Sequence, residues 1–384
     1  MKIAIYYPWI CVKGGAERTI LETVKDNKNN YTIFTNRFDK ENTYKEFKKI
    51  RVVELAKIPD RSDFFSTLIG SIMILFQKID LSQFDLFIVH SEGLADLITF
   101  RNNKIPLILF CYTPLRPVFD KNHMGSILRT KKIHEGLLYF LFAKTFRLID
   151  EHLWKRFRYV IFISMESLKR AQRGNIIYPG TETVVIHPGV DWDDIKPPLR
   201  YDKYFLLTGR ITWSKNIELA IKAFTLFEKE YYGKRDFKLV IAGYVDKKSI
   251  KYLQYLKSLA SGNKNIVFKI NPSGETLNNL YSNCYMTLAT AVHEDWGLTP
   301  IEGNAYSKAA ICVNSGGYKE SQIEGKTGFL RNNSAEEFSR GMSKMAKGLA
   351  YTKKLGGYSR KISKKYSWNE FRYNVSKFYE HLFS

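Results

Sequence analysis

Two glutamates, Glu294 and Glu302, stand with seven residues between them in His293-Glu294-Asp295-Trp296-Gly297-Leu298-Thr299-Pro300-Ile301-Glu302. An ionised carboxylate only accepts hydrogen bonds, so Glu302 could hold a ribose diol and Glu294 a sugar hydroxyl. A helix opening after Gly297 would add backbone N–H groups and the positive end of a dipole, which together suit a phosphate. The same residues also have a purely structural account. Thr299 as N-cap, Pro300 at the first helical position and Glu302 at the third would complete a capping box. A second motif, Leu207-Thr208-Gly209-Arg210-Ile211-Thr212-Trp213-Ser214-Lys215-Asn216, sets two cations about one turn. Arg210 brings a planar fork and Lys215 a mobile point charge, and both could reach a diphosphate over that turn. A third, Gly14-Gly15-Ala16-Glu17-Arg18, offers glycines where a ligand could approach the backbone closely.

The elements that must position these motifs are legible as a strand-then-helix rhythm. Apolar runs at 2–8, 31–35, 85–90, 106–111, 159–164 and 183–188 alternate with amphipathic stretches at 16–26, 63–79 and 131–157. The rhythm resumes with strands near 204–209, 238–243, 265–270, 285–290 and 309–314. Helices are expected near 216–230, 247–259, 273–283, 299–307 and 335–350. Continuous apolar strands between helices imply a parallel sheet covered on both faces. The Pro- and Gly-bearing stretch from His187 to Pro198, with Lys196-Pro197-Pro198 at its end, reads as a linker. The expected fold is therefore α/β, with two doubly wound, Rossmann-like domains. Residues 1–192 form the first, 193–365 the second, and 366–384 a closing helix. Ligands bind such sheets at the carboxyl ends of their strands.

Composition narrows the function classes. With 384 residues, 45% apolar and 15% aromatic, the chain can bury two cores and is not a disordered segment. Sixty Lys and Arg against 38 acids give a net charge of +22, which calls for an anionic partner. The four cysteines form no CxxC pair, so no zinc ribbon or disulfide framework is expected. The first residues read as a strand and not as a signal peptide. The apolar run Phe64 to Phe76 is shorter than the ~20 residues of a membrane span. The seven histidines show no HExxH spacing. The pair in Asp191-Trp192-Asp193 is read as a turn and helix entry, so no metal site is expected.

Taken in this order and spacing, the three motifs resemble glycosyltransferase family 4, retaining enzymes of GT-B fold. The resemblance runs from the Gly14-Gly15 loop to Ser315-Gly316-Gly317-Tyr318-Lys319-Glu320 and Gly325-Lys326-Thr327-Gly328-Phe329-Leu330. It implies a nucleotide-diphosphate sugar donor, UDP- or GDP-linked, held mainly by the second domain, with no further cofactor and no metal. Arg210 and Lys215, following Gly209, would bind the diphosphate, assisted by the amides of Leu298 and Thr299 after Gly297. Glu302 would hold the ribose, Glu294 the sugar, and Gly14 and Gly15 would lie close to the phosphates or sugar. The acceptor, a glycan or lipid-linked glycan, would enter along the first domain. Cys111-Tyr112-Thr113-Pro114-Leu115-Arg116-Pro117 is similar to an H-T-P-x-R pattern of mannosyltransferase-like members and marks Tyr112 and Arg116 as acceptor-side. Tyr112 stands at the histidine position, and a tyrosine cannot act as an imidazolium.

Two other readings remain open on the sequence: a nucleotide-sugar epimerase of similar fold, and a nucleic-acid-binding protein prompted by the charge. The second lacks an RNP-like, helix-turn-helix or zinc-finger pattern, so no nucleic-acid partner is expected. The apolar stretches 64–76 and 137–154, the latter followed by Lys155-Arg156-Phe157-Arg158, suggest an anionic membrane surface as a partner and a cytoplasmic, peripheral location.

Overall fold

The computed structural model describes residues 1–25, 28–60, 63–120, 133–195, 200–230 and 236–383. The expected linker residues Lys196, Pro197 and Pro198 lie outside the described residues. The chain divides into two compact units, Met1–Pro188 with Phe371–Ser384, and Gly189–Glu370.

The first unit is built on β1 (Lys2–Tyr6), β3 (Asn30–Thr35), β5 (Val52–Glu54), β6 (Leu86–Ser91), β7 (Leu107–Cys111), β8 (Tyr159–Phe162) and β9 (Glu182–Val185). They form a parallel sheet in the order β5-β3-β1-β6-β7-β8-β9. The two-residue strands β2 (Trp9–Ile10) and β4 (Arg37–Phe38) pair beside it. Every residue of β6 and β7 is buried, as expected of central strands covered on both faces.

The second unit carries β10 (Tyr204–Thr208), β11 (Lys238–Gly243), β12 (Ile266–Ile270), β13 (Met286–Ala289), β14 (Ala310–Val313) and β15 (Gly328–Arg331). Its parallel order is β12-β11-β10-β13-β14-β15. Phe205, Phe224, Phe227 and Phe237 cluster on one face of this sheet, with ring centroids 4.9–6.1 Å from Phe205.

Both sheets thus reverse their winding once, between β1 and β6 and between β10 and β13. At such a switch point the loops leaving two adjacent strands diverge and open a crevice at the strand ends. The Gly14-Gly15 turn follows β1, the Arg210/Lys215 turn follows β10, and Glu294 follows β13. Topology therefore brings together two motifs almost 80 residues apart in sequence.

Two details differ from the sequence reading. The helix expected at 335–350 is two helices, Ala335–Ala346 and Leu349–Ser363, because Gly348 is extended between them. The capping box at Thr299 does not form. The helix is Leu298–Ala305, and its N-cap is Gly297, with no side-chain cap. Gly297 adopts φ +84°, and a Cβ there would stand 2.3 Å from the Tyr318 ring. That conformation and that contact both require glycine. The helix starts early, leaving Thr299 and Glu302 inside it.

The closing helix, Trp368–Phe383, begins in the second unit and belongs to the first from Phe371 onward. There Phe371 packs on Phe110, Phe378 on Tyr159, and Arg372 pairs with the buried Glu22.

Candidate functional site

Two hydrogen bonds knit the loops at the second sheet's switch point. Asn216 Nδ2 donates to Thr290 O at 3.1 Å, and Thr290 Oγ1 donates to Lys215 O at 2.7 Å. Asn216 sits in the left-handed region, φ 50°, which ends the short turn Trp213–Lys215 and fixes where Lys215 emerges. Lys215 Nζ then bridges both oxygens of Glu294, at 3.0 and 2.8 Å. A Cβ on Gly209 would lie 3.8 Å from Thr299 Cγ2 and 3.9 Å from Lys215 Cε, so the first turn of the 298–305 helix adjoins the lysine stem. Arg210 is exposed in the same turn.

The loop before that helix is held from the other side. Gly317 N donates to Glu294 O at 2.8 Å, and His293 N to Ser315 Oγ at 3.2 Å. The Ser315-Gly316-Gly317 stretch noted in the sequence is therefore the backing of Glu294. Because Pro300 has no N–H, the early amides this helix presents are those of Leu298, Thr299 and then Ile301.

Glu302 occupies a different environment. Tyr281 Oη donates to its Oε2 at 2.5 Å, Thr208 Oγ1 lies 2.6 Å from the same hydroxyl, and Tyr306 stacks on the Tyr281 ring at 5.5 Å. Burial raises the Glu302 carboxyl above the ordinary carboxylate range, the Tyr281 bond opposes this, Asp191 adds to it and Lys215 lowers it. Tyr281 escaped the sequence reading, which quoted Thr208 only within the Arg210/Lys215 motif and took Asp191 as part of a turn. Tyr281 reads there only as an aromatic position on the 274–283 helix, and nothing in its spacing points to Glu302. The two carboxylates of Asp191-Trp192-Asp193 part company, since Asp193 Oδ2 accepts from Asn369 and Asp191 faces Glu302 and Tyr306.

The remaining sequence-derived residues belong to the first unit. Gly14 is the N-cap of the Gly15–Thr23 helix, and a Cβ on it would meet Glu17 Oε2 at 2.5 Å. Arg116 opens the short helix Arg116–Phe119. Tyr112 is buried, and its hydroxyl lies 3.0 Å from Ala16 O and 2.9 Å from His90 Nδ1. Lys215, Glu294, Glu302, Gly209, Gly297, Leu298 and Thr299 thus gather at one switch point, and Gly14, Gly15 and Tyr112 at the other.

Residues 191–362 match the family described as Glycosyl transferases group 1. The chain is 26% identical to "Alpha-1,3/1,6-mannosyltransferase ALG2" of Dictyostelium discoideum, over 98% of this chain and 97% of that protein. It is 24% identical to the protein of the same name from Saccharomyces cerevisiae, over 82% and 70%. Among solved structures, Anabaena Alr3699/HepE in complex with UDP superposes with a TM-score of 0.78 at 15% identity, covering 99% of this chain and 100% of that one. Sucrose-phosphate synthase from Thermosynechococcus elongatus gives 0.79 at 17%, covering 100% and 99%. Residues 191–362 match a group 1 glycosyl transferase domain, and the chain that carries them is a glycosyltransferase of GT-B fold.

Proposed function

We propose that the chain transfers a hexose from a nucleotide-diphosphate sugar to a glycan or lipid-linked glycan, with retention at the anomeric carbon and without a metal or further cofactor. The observation that carries this reading is the meeting of Lys215, Glu294 and the first turn of the 298–305 helix at one switch point. The bond between the anomeric carbon and the diphosphate oxygen breaks, and the acceptor oxygen bonds to the same face of that carbon. The acceptor proton passes to the departing phosphate. Charge therefore develops on the diphosphate, and Arg210, Lys215 and the Leu298 and Thr299 amides supply its stabilisation.

Lys215 has a second part in this scheme. A diphosphate carries more charge than one carboxylate, so a bound donor draws Lys215 from Glu294 and leaves Glu294 to accept from a sugar hydroxyl. Glu302, fixed by Tyr281, takes the ribose. The mannosyltransferase relatives favour mannose as the sugar. Thermal shifts against UDP- and GDP-sugars, followed by transfer assays with the stabilising donor, test the reading. Stabilisation by none of them, or activity abolished by a chelator and restored by magnesium, would remove it.

The acceptor side is proposed to work on an anionic membrane surface, at the cytoplasmic face. No described helix is long and apolar enough to cross a membrane. The Phe64–Phe76 helix contains no charged residue, yet Phe65, Ile69, Ile72 and Phe76 form an exposed stripe along it. Small residues, Gly70 and Ser71, face inward with Ile74. Phe64 packs on Tyr139 and Phe142, which joins the stripe to the exposed Leu137, Leu138, Phe140 and Leu141 of the Ile133–Trp154 helix. At the far end Phe76 meets Phe100, beneath the Arg156 guanidinium. An apolar face ending in cations suits a bilayer interface with anionic headgroups. A second copy of this chain, also +22, suits it less. Flotation with anionic vesicles but not neutral ones is expected, and equal absence from both counts against it.

A further inference from the structure

Tyr112 occupies a histidine position of the family, yet its hydroxyl is buried and turned onto the Gly15–Thr23 helix. The directions of the hydrogen bonds around it can be worked out atom by atom. Ala16 O can only accept. Thr19, which also adjoins Tyr112, donates its own proton to Gly15 O at 2.7 Å. Burial keeps the phenol protonated, and Glu92 and Glu17 reinforce this. Tyr112 has one proton, and it goes to Ala16 O at 3.0 Å. The group 2.9 Å away on the other side, His90 Nδ1, must then donate to the Tyr112 oxygen.

His90 lies in β6, is fully buried, and stacks flat on Phe110 at 4.6 Å, with 11° between the planes. Its Nε2 has no hydrogen-bond partner among the described residues. A proton on Nε2 would have no acceptor there, so nothing at this end of the ring competes with the contact at Nδ1 for it. The contact at Tyr112 therefore sets the tautomer, and nothing at Nε2 opposes it.

We propose that His90, as the neutral Nδ1–H tautomer, and Tyr112 form a relay, His90 Nδ1–H to Tyr112 Oη–H to Ala16 O, that positions the Gly14-Gly15 turn for glycosyl transfer. Tyr112 is a positioning residue in this scheme. It pins a carbonyl of the helix's first turn to β6 and β7 from inside, and Tyr7 packs edge-on against its ring at 6.3 Å. The family's histidine position is thereby converted from a group that could meet substrate into one that holds the turn that would. Only the kinetic part of the proposal rests on the transfer reading; the hydrogen-bond directions stand without it.

The test uses the full chain with 15N-labelled histidine. His90 should show a protonated Nδ1 and an unprotonated Nε2, without titrating between about pH 5 and 9, since burial holds the imidazole's pKa down to about 3. An Nε2–H tautomer, or titration in that range, would overturn the relay whatever the enzyme's activity. Tyr112→Phe keeps the ring and removes the oxygen. It should shift the His90 Nδ1 resonance and lower kcat about 5-fold, with donor KM changed less than about 2-fold, since one neutral hydrogen bond is lost and small misplacements fall on turnover. Wild-type kcat in a folded Tyr112→Phe chain would overturn the positioning role. If Tyr112→Phe does not fold, the wild-type tautomer still decides the relay.

Discussion

At the second sheet's switch point the loops after β10 and β13 carry Arg210, Lys215 and Glu294, and the bond between them is an ion pair. At the first sheet's switch point Glu17 on the Gly15–Thr23 helix, Glu92 after β6 and Tyr112 after β7 are neighbours, and Tyr112 is hydrogen-bonded to His90 and Ala16. The winding is the same and the chemistry is opposite. Cations beside a helix N-terminus suit a polyanion, whereas carboxylates and a neutral hydrogen-bond chain suit a sugar's hydroxyls. The contrast teaches that topology supplies the crevice and the loop residues decide what enters it.

The largest effect that can break this contrast comes from the cations. Arg210→Ala and Lys215→Ala should each lower turnover by about 10²–10³-fold, because each removes a donor aimed at developing charge. Steady-state kinetics with a saturating donor measure it. A loss of that size from Glu92→Gln in the first unit, with none from Lys215→Ala, would invert the assignment of donor and acceptor sides.

Next in size is the effect on the proposed membrane face, whose residues belong to the first unit. Ile69 and Ile72 are both about half exposed, so replacing both with Asp should leave folding intact. Vesicle partition should fall more than about 10-fold, since burying each such side chain contributes roughly 1.5–3 kcal/mol. Unchanged flotation of the double variant would move the contact elsewhere.

How much of this was legible in the sequence depended on the kind of signal. The parallel sheets were legible because β6, β7 and β11 are continuous apolar runs, and the Arg210/Lys215 turn because it follows such a run. The short β5 and β15 were not, since Val52–Glu54 and Gly328–Arg331 each hold only two or three apolar residues. At the helix after Gly297, local capping preference pointed to Thr299, but the Tyr318 ring packed on Gly297 won. Tyr281 and His90 carry no spacing signal, because what recruits each is a neighbour distant in sequence: Glu302 on another helix for Tyr281, and Phe110 and Tyr112 for His90.

A third effect isolates the first unit. Asp96 and Asp150 are both fully buried, and burial raises both carboxyls; Asp96 raises Asp150 further, whereas Trp154 lowers both and Asp150 lowers Asp96. Trp154 Nε1 and Ser91 Oγ donate to Asp96 at 3.1 and 3.2 Å. Asp150's folded pKa lies well above its unfolded value near ~4, so the folded state binds the extra proton. Its contribution to stability is complete below the unfolded pKa and is lost as pH rises through the folded one. Thermal unfolding of the wild type should therefore weaken from acid to alkaline pH, and Asp150→Asn should flatten that slope. A difference between wild type and Asp150→Asn that stays constant with pH would show that the pair does not hold a proton.

The smallest effect separates Glu302 from Glu294 within the second unit. Glu302 is held by the Tyr281 hydroxyl, and its carboxyl is raised chiefly by burial, so the direction of linkage is that of Asp150. Stability from it is present below the ordinary carboxylate value and is lost as pH rises through the folded one. Glu302→Gln keeps an oxygen for Tyr281 to donate to and removes the charge. Without donor, its unfolding midpoint should match wild type near pH 4 and exceed it increasingly toward pH 8. Glu294→Gln has the opposite consequence, because that carboxylate is already partnered by Lys215 and losing its charge strands a cation. Its midpoint should not rise with pH relative to wild type. If the two variants behave alike across that range, the two glutamates share one environment, and the division of sugar from ribose between them fails.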